Sequence, residues 1–149
     1  MRINMRITDC EELEKIVKSA SPLHVLGAGL NNGKPAHRAV HDLAERGWSP
    51  IPVHPRDAGG SIGGFPIRPD TENRTDPGVV VLFLAPLRSR EVVKKMLIAN
   101  APPPTLIWFQ NGAEDDMALS WLEEAGWDYV QDDCIVKFAQ RRDLNIESN

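Results

Sequence analysis

Two clusters in this sequence have residue types and spacing suited to holding an anion. The first is Gly27-Ala28-Gly29, followed by Gly33, Lys34 and Pro35. Glycines let the backbone come close to a phosphate, and the free N–H groups that open a helix carry partial positive charge. The spacing Gly27-x-Gly29-x-x-x-Gly33 is not the G-x-G-x-x-G of dinucleotide enzymes, so position argues for a site here more than pattern does. Lys34 and Arg38 beside this loop suit either phosphate binding or a solvent-facing role.

The second cluster is His54-Pro55-Arg56, after the short apolar run Ile51-Pro52-Val53. Enzymes that use NAD place an Asp or Glu at this point, to accept hydrogen bonds from ribose hydroxyls. Here the first acid is Asp57, and Arg56 would attract a ribose phosphate through charge-assisted hydrogen bonds. The pattern disfavours NAD and permits either NADP or the 3′-phosphate of coenzyme A. Pro86 and Ser89 open a later helix, and Gln110-Asn111-Gly112 offers amide donors and acceptors. All of these lie just beyond apolar runs, where an open parallel sheet binds its ligand.

No catalytic set stands out. His37 and His41 are four apart on a helix, a spacing that can hold a metal. No H-E-x-x-H pattern accompanies them, and a solvated or partly packed face is the reading, with no metal expected. Cys134 follows Asp132 and Asp133, whose charges oppose the lowered pKa that a reactive thiol needs, so an inert structural cysteine is expected. Trp48, Trp108, Trp121 and Trp127 read as packing.

The elements that must position these residues follow from periodicity. Thr8 and Glu11 form a capping-box pattern, and Leu13, Ile16, Val17 and Ala20 predict a helix over about residues 8–19, stopped by Pro22. Leu23–Leu26 reads as a buried strand entering the glycine turn. Pro35, Ala36, Val40, Leu43 and Ala44 give a helix closed by Gly47. Residues 57–78 read as a long connection, with a short extended piece at 65–67. The run Val79–Leu84 suits a strand buried on both faces. Helices over 87–100 and 114–125, strands over 105–109 and 127–130, and a frayed polar tail from Gln140 complete the chain. Strand and helix thus alternate from residue 22 to 130. That order predicts an α/β protein: one three-layer, doubly wound, mainly parallel Rossmann-like domain over residues 1–149, with its core at about 20–138.

Composition excludes several partner classes. With 42% hydrophobic residues, 26% charged residues and a net charge of −4, the chain lacks the basic face that nucleic acid or an anionic membrane would require. The two cysteines and the charged start, without a secretory apolar stretch, point to a reducing, cytoplasmic compartment.

Four stretches carry a family resemblance: HVLGAGLNNGKPAHRAVHDLAERGWSPIPVHPR, VVVLFLAP, LIWFQNGAEDD and LEEAGWDYVQDDCIVKF. In this order and spacing, over about residues 20–138, the chain resembles the small bacterial CoA-binding proteins. These are stand-alone relatives of the CoA-binding domain of the succinyl-CoA synthetase alpha subunit. The resemblance implies that Gly27, Ala28 and Gly29 contact the CoA phosphates, and that Pro55 and Arg56 lie by the adenosine 3′-phosphate. It also matches Pro86, the W-x-Q-x-G element at Trp108, Gln110 and Gly112, and the D-x-C element at Asp132–Cys134. Three features depart from the family pattern. Gly29 replaces a small hydroxyl residue, His54 replaces a frequent Asn, and Ala85-Pro86 precedes the arginines that commonly follow that strand.

The function expected is non-catalytic binding of coenzyme A or a CoA thioester, as carrier, sensor or partner of a larger enzyme. A homodimer is compatible with the sequence. The alternatives are an NADP-dependent oxidoreductase, which calls for a substrate region that one domain does not supply, and a degenerate Rossmann interaction protein.

Overall fold

The computed structural model describes residues 4–71, 76–99 and 101–146. Helix α1 (Cys10–Lys18) is capped by Asp9, whose carboxylate accepts from Glu11 N, so the cap is not Thr8. Strand β1 (Leu23–Leu26) leads to α2 (Pro35–Glu45) and then β2 (Pro50–Val53). A small hairpin, β3 (Ser61–Ile62) and β4 (Phe65–Pro66), precedes β5 (Val79–Leu82) and α3 (Pro86–Ile98). Then follow β6 (Leu106–Phe109), α4 (Asp116–Ala125), β7 (Tyr129–Val130) and α5 (Ile135–Arg141).

The five main strands pair in parallel, in the order β2-β1-β5-β6-β7. Side chains alternate across the sheet and so build two cores. Leu23, Val25, Val79, Val81, Leu106 and Trp108 face α1, α2 and α5. Leu26, Val80, Leu82, Ile107 and Phe109 face Val93 and Met96 of α3 and Leu122 of α4. The strands are apolar throughout because both faces are covered. The predicted three-layer, doubly wound architecture is what forms. None of the described helices is long and apolar enough to cross a membrane.

Three features lie beyond the predicted elements. Each edge of the sheet gains one parallel rung. At one edge Arg68 N donates to Pro52 O and His54 N to Arg68 O; at the other, Tyr129 N donates to Met5 O and Ile7 N to Tyr129 O. Glu123 reinforces the second rung, accepting from Met5 N and from the Tyr129 hydroxyl at 2.7 Å. Burial and that carboxylate push the Tyr129 hydroxyl up to about 12. Within the connection, Gly63 and Gly64 both have positive φ, as a two-residue hairpin turn of the primed kind requires. The hairpin buries Ile62 and Ile67, and the extended piece expected at 65–67 includes one of its arms.

The third feature corrects the expectation of a frayed tail. Helix α5 starts one residue after Cys134 and buries Ile135, Phe138 and Ala139. Beyond it Leu144 is also buried; Arg46 Nη1 donates to Leu144 O, and Ile146 N donates to Arg46 O. The polar sequence hides this docking because single apolar residues, not a periodic stripe, anchor the segment. Residues 147–149 of the expected tail lie outside the described residues.

One ion pair joins α3 to α4. Asp115 is buried, caps α4 by accepting from Ala118 N at 3.0 Å, and receives Arg90 Nε at 2.8 Å and Nη2 at 2.9 Å. The Arg90 guanidinium holds the carboxyl below its ordinary range, while burial works in the opposite direction. A carboxyl depressed on folding stabilises above its unfolded pKa, and that stability is lost as pH falls through the folded value. Asp115→Ala should lose about 1–2 kcal/mol in denaturant unfolding at pH 7. Asp115→Asn, which can still cap, should lose less than Ala at pH 7. Its deficit relative to the parent should begin to shrink below about pH 4 and close only once pH has fallen below the depressed folded-state value, where the parent loses the same charge. A deficit that persists unchanged at pH 3 would contradict the assigned pair.

Candidate functional site

The chain leaves β1, goes outward to β2, and returns on the other side of β1 as β5. Strand order therefore reverses between β1 and β5, and the crevice opens beyond their carboxyl ends. Gly27 sits at that exit with φ +97°, its N–H donating to Val53 O at 2.9 Å. A Cβ at Gly27 would collide with the carbonyl oxygen of Phe83. The methyl group of Ala28 points into the core, and neither Ala28 N nor Gly29 N has a partner among the described residues. The Asn31–Lys34 turn closes on itself: Asn31 Oδ1 accepts from Gly33 N, and Asn31 O from Lys34 N. Lys34 then occupies the N-cap of α2 without a side-chain cap, and Pro35 follows. The first amides of α2 thus have no intrahelical acceptor.

The exit of β2 is bound to this loop. Asp57 Oδ2 accepts from Leu30 N at 2.8 Å, and His54 Nδ1 accepts from Asp57 N at 3.1 Å. A ring nitrogen that accepts from an amide carries no proton, so the hydrogen of the neutral ring lies on Nε2. The 3.8 Å approach of His54 Nδ1 to Asp57 Oδ2 is accordingly contact without charge pairing. A Cβ at Gly29 would strike Asp57 Oδ2 and come within 2.8 Å of His54 Cδ2. Two of the departures from the family pattern, Gly29 and His54, therefore form one arrangement. The imidazole and the Asp57 carboxylate fill the space that a side chain at 29 would need.

Between these exits and α3 lies a cleft of about 870 Å³, a volume within the range of small-molecule sites. Leu26, Val53, Phe83, Leu84, Val92 and Met96 give it apolar walls, and Pro69–Thr71 line it from the connection after the hairpin. Lys34, Arg56, Arg88 and Lys95 set four basic side chains against the acids Asp57, Asp70 and Glu91. In a chain of net charge −4, the cleft is locally biased toward anions.

Of the residues singled out from sequence, Gly27, Gly29, Lys34, His54, Pro55 and Arg56 line this cleft together, with Ala28 beneath the turn. The others have different places. Pro86 is the first residue of α3, next to Ala85, which does line the cleft. The Ser89 hydroxyl is completely buried and has no hydrogen-bond partner among the described residues. Gln110 Oε1 accepts from Ile135 N at 2.9 Å and so caps α5, and Gly112 lies in the turn after β6 with φ +86°. The physical reason is strand order. β6 is one strand further from the reversal, and its exit serves α5. Cys134, the residue preceding α5, likewise does not line the cleft.

Arg88 and Lys95, on the helix that Pro86 opens, are not among the residues expected at the site, yet both line the cleft. They are seven residues apart, about two helical turns, and so share a face, which Glu91 and Val92 join. That period was available in the sequence. What it faced was not.

Solved structures of similar shape support the architecture. A Thermus thermophilus protein titled "cell-free ID.343" superposes with a TM-score of 0.80 at 27% identity, covering 90% of this chain and 98% of that one. A Pyrococcus furiosus conserved hypothetical protein gives 0.69 at 26%, covering 78% and 97%. A hypothetical protein from Pyrococcus horikoshii OT3 gives 0.78 at 24% identity, covering 95% and 98%, and at that identity speaks for the fold alone. A search of curated proteins found no match. Residues 23–139 match the family described as CoA binding domain, a span from the first residue of β1 into α5 that takes in the turn, the β2 exit and the α3 wall of the cleft. The chain belongs to the CoA-binding domain family.

Proposed function

We propose that the cleft binds coenzyme A or a CoA thioester and performs no chemistry on it. The observation that carries this reading is that Gly29, whose amide has no partner among the described residues, lines the same cleft as Arg56. Oriented amides at a tight turn suit a pyrophosphate. Arg56, with Lys34 nearby, suits the ribose 3′-phosphate, which a guanidinium binds by charge-assisted hydrogen bonds. The apolar walls formed by Val53, Leu84, Val92 and Met96 offer a place for an uncharged, flat or extended part of the ligand.

A holding role fits the titratable groups nearest the turn. His54 engages Nδ1 with the Asp57 amide, and Asp57 engages Oδ2 with the Leu30 amide. Both are committed to joining loops rather than to moving protons. A bound thioester would then be carried, sensed or presented to a larger enzyme, with a second copy of the chain as another partner. NADP also bears a ribose phosphate beside a pyrophosphate, so it belongs in the same experiment.

Calorimetric titration with coenzyme A, dephospho-CoA, NADP and NAD tests the reading. Coenzyme A should bind most tightly, with dephospho-CoA weaker by about tenfold or more if one charge-assisted contact of 1.5–3 kcal/mol is lost. Arg56→Ala should bring the two ligands to equal affinity. Tighter binding of NADP than of coenzyme A would reject the assignment.

The coupling between Gly29 and His54 makes a separate prediction. Gly29→Ser should destabilise the fold and weaken coenzyme A binding, because its Cβ meets the imidazole and the Asp57 carboxylate. Adding His54→Asn should restore part of both losses. A double-mutant cycle should show a favourable interaction of about 0.5–3 kcal/mol, whereas strict additivity would mean that the two positions are independent.

A further inference from the structure

His37 and His41 lie on successive turns of α2, outside the cleft, and no role in the proposed function uses them. His37 Nδ1 is 2.8 Å from Gly29 O. A carbonyl can only accept, so Nδ1 carries a hydrogen and the neutral ring leaves Nε2 with a free lone pair. His41 Nε2 lies 3.3 Å from that atom, the two ring centroids being 5.1 Å apart with planes inclined at 51°. Two imidazole nitrogens each about 2.0–2.1 Å from one tetrahedral ion would be about 3.3–3.4 Å apart. The observed separation is that bite.

We infer that His37 and His41 form a two-histidine site for a borderline divalent transition ion such as Zn²⁺ or Ni²⁺. Each ring would give its Nε2 to the ion. His37 is already held in the required tautomer by a backbone carbonyl, the usual support of a metal-bound imidazole. His41 is exposed, so water can complete the coordination shell. Before the ion binds, His41 Nε2–H donates to His37 Nε2; on binding, the His41 hydrogen resides on Nδ1. Among the described residues no group of three or more His, Cys, Asp and Glu gathers around one point, so the protein supplies two ligands here. The positive end of the α2 dipole opposes a cation, which favours ions with high intrinsic affinity for imidazole over hard ions such as Mg²⁺.

The test is calorimetric titration of the tag-free chain with Zn²⁺, Ni²⁺ and Mg²⁺ near neutral pH. One equivalent of Zn²⁺ or Ni²⁺ should bind, and Mg²⁺ should not. His41→Gln and His37→Gln should each weaken binding at least tenfold, with far-UV circular dichroism unchanged for His41→Gln. Cys10→Ser/Cys134→Ser should bind as the parent does. In long-range ¹H–¹⁵N spectra, Zn²⁺ should shift the Nε2 resonances of both rings. Undiminished binding by His41→Gln, loss of binding in the cysteine variant, or absence of saturable binding by the parent would each overturn the proposal. None of these readouts depends on whether the cleft holds coenzyme A.

Discussion

The close approach of Gly27 to the Phe83 carbonyl governs the geometry of this molecule. Two parallel strands, β1 and β5, part at their carboxyl ends, and the exit from one passes against the backbone leaving the other. Only a residue without a Cβ fits, and the positive φ at Gly27 suits glycine for a second reason. From that contact the chain turns away, and the Ala28 and Gly29 amides find no acceptor among the described residues.

The second loop complements the first through side chains. Asp57 pairs with the Leu30 amide and His54 with the Asp57 amide, so the β2 exit is fixed relative to the glycine turn. This arrangement has an electrostatic consequence. A carboxylate sits close to the turn that would receive an anion, and the bias of the cleft toward anions rests on the surrounding Lys34, Arg56, Arg88 and Lys95. Gly29 is bare because Asp57 and His54, from across the crevice, fill the space a side chain there would need. Gly29 and His54, far apart in the sequence, are neighbours in space.

Much of this was legible in the residues. The apolar runs at 23–26, 79–82 and 106–109 and the amphipathic stripes between them gave the layer architecture, because a sheet covered on both faces needs uninterrupted apolar strands. The placement of Gly27, Gly29 and Arg56 in one crevice followed from strand ends alone. The short elements were not legible. The strands of the 61–66 hairpin have two residues each, too few for alternation to register, and α5 has only seven. Gln110 looked like a ligand group because amide side chains suit both binding and capping, and composition cannot separate the two.

By itself, then, the order of residues determined the α/β layering, the parallel pairing and the identity of the loops at the carboxyl edge. These depend on local propensity, hydrophobic period and the handedness of crossovers, all written along the chain. Tertiary structure alone decided which side chains meet. It brought Arg88 and Lys95 to the cleft, turned Gln110 toward α5, set Asp57 against the Leu30 amide, and closed the His37 and His41 nitrogens to 3.3 Å. Such meetings depend on distances between segments remote in sequence or on rotamers fixed by packing, and no one-dimensional pattern encodes either.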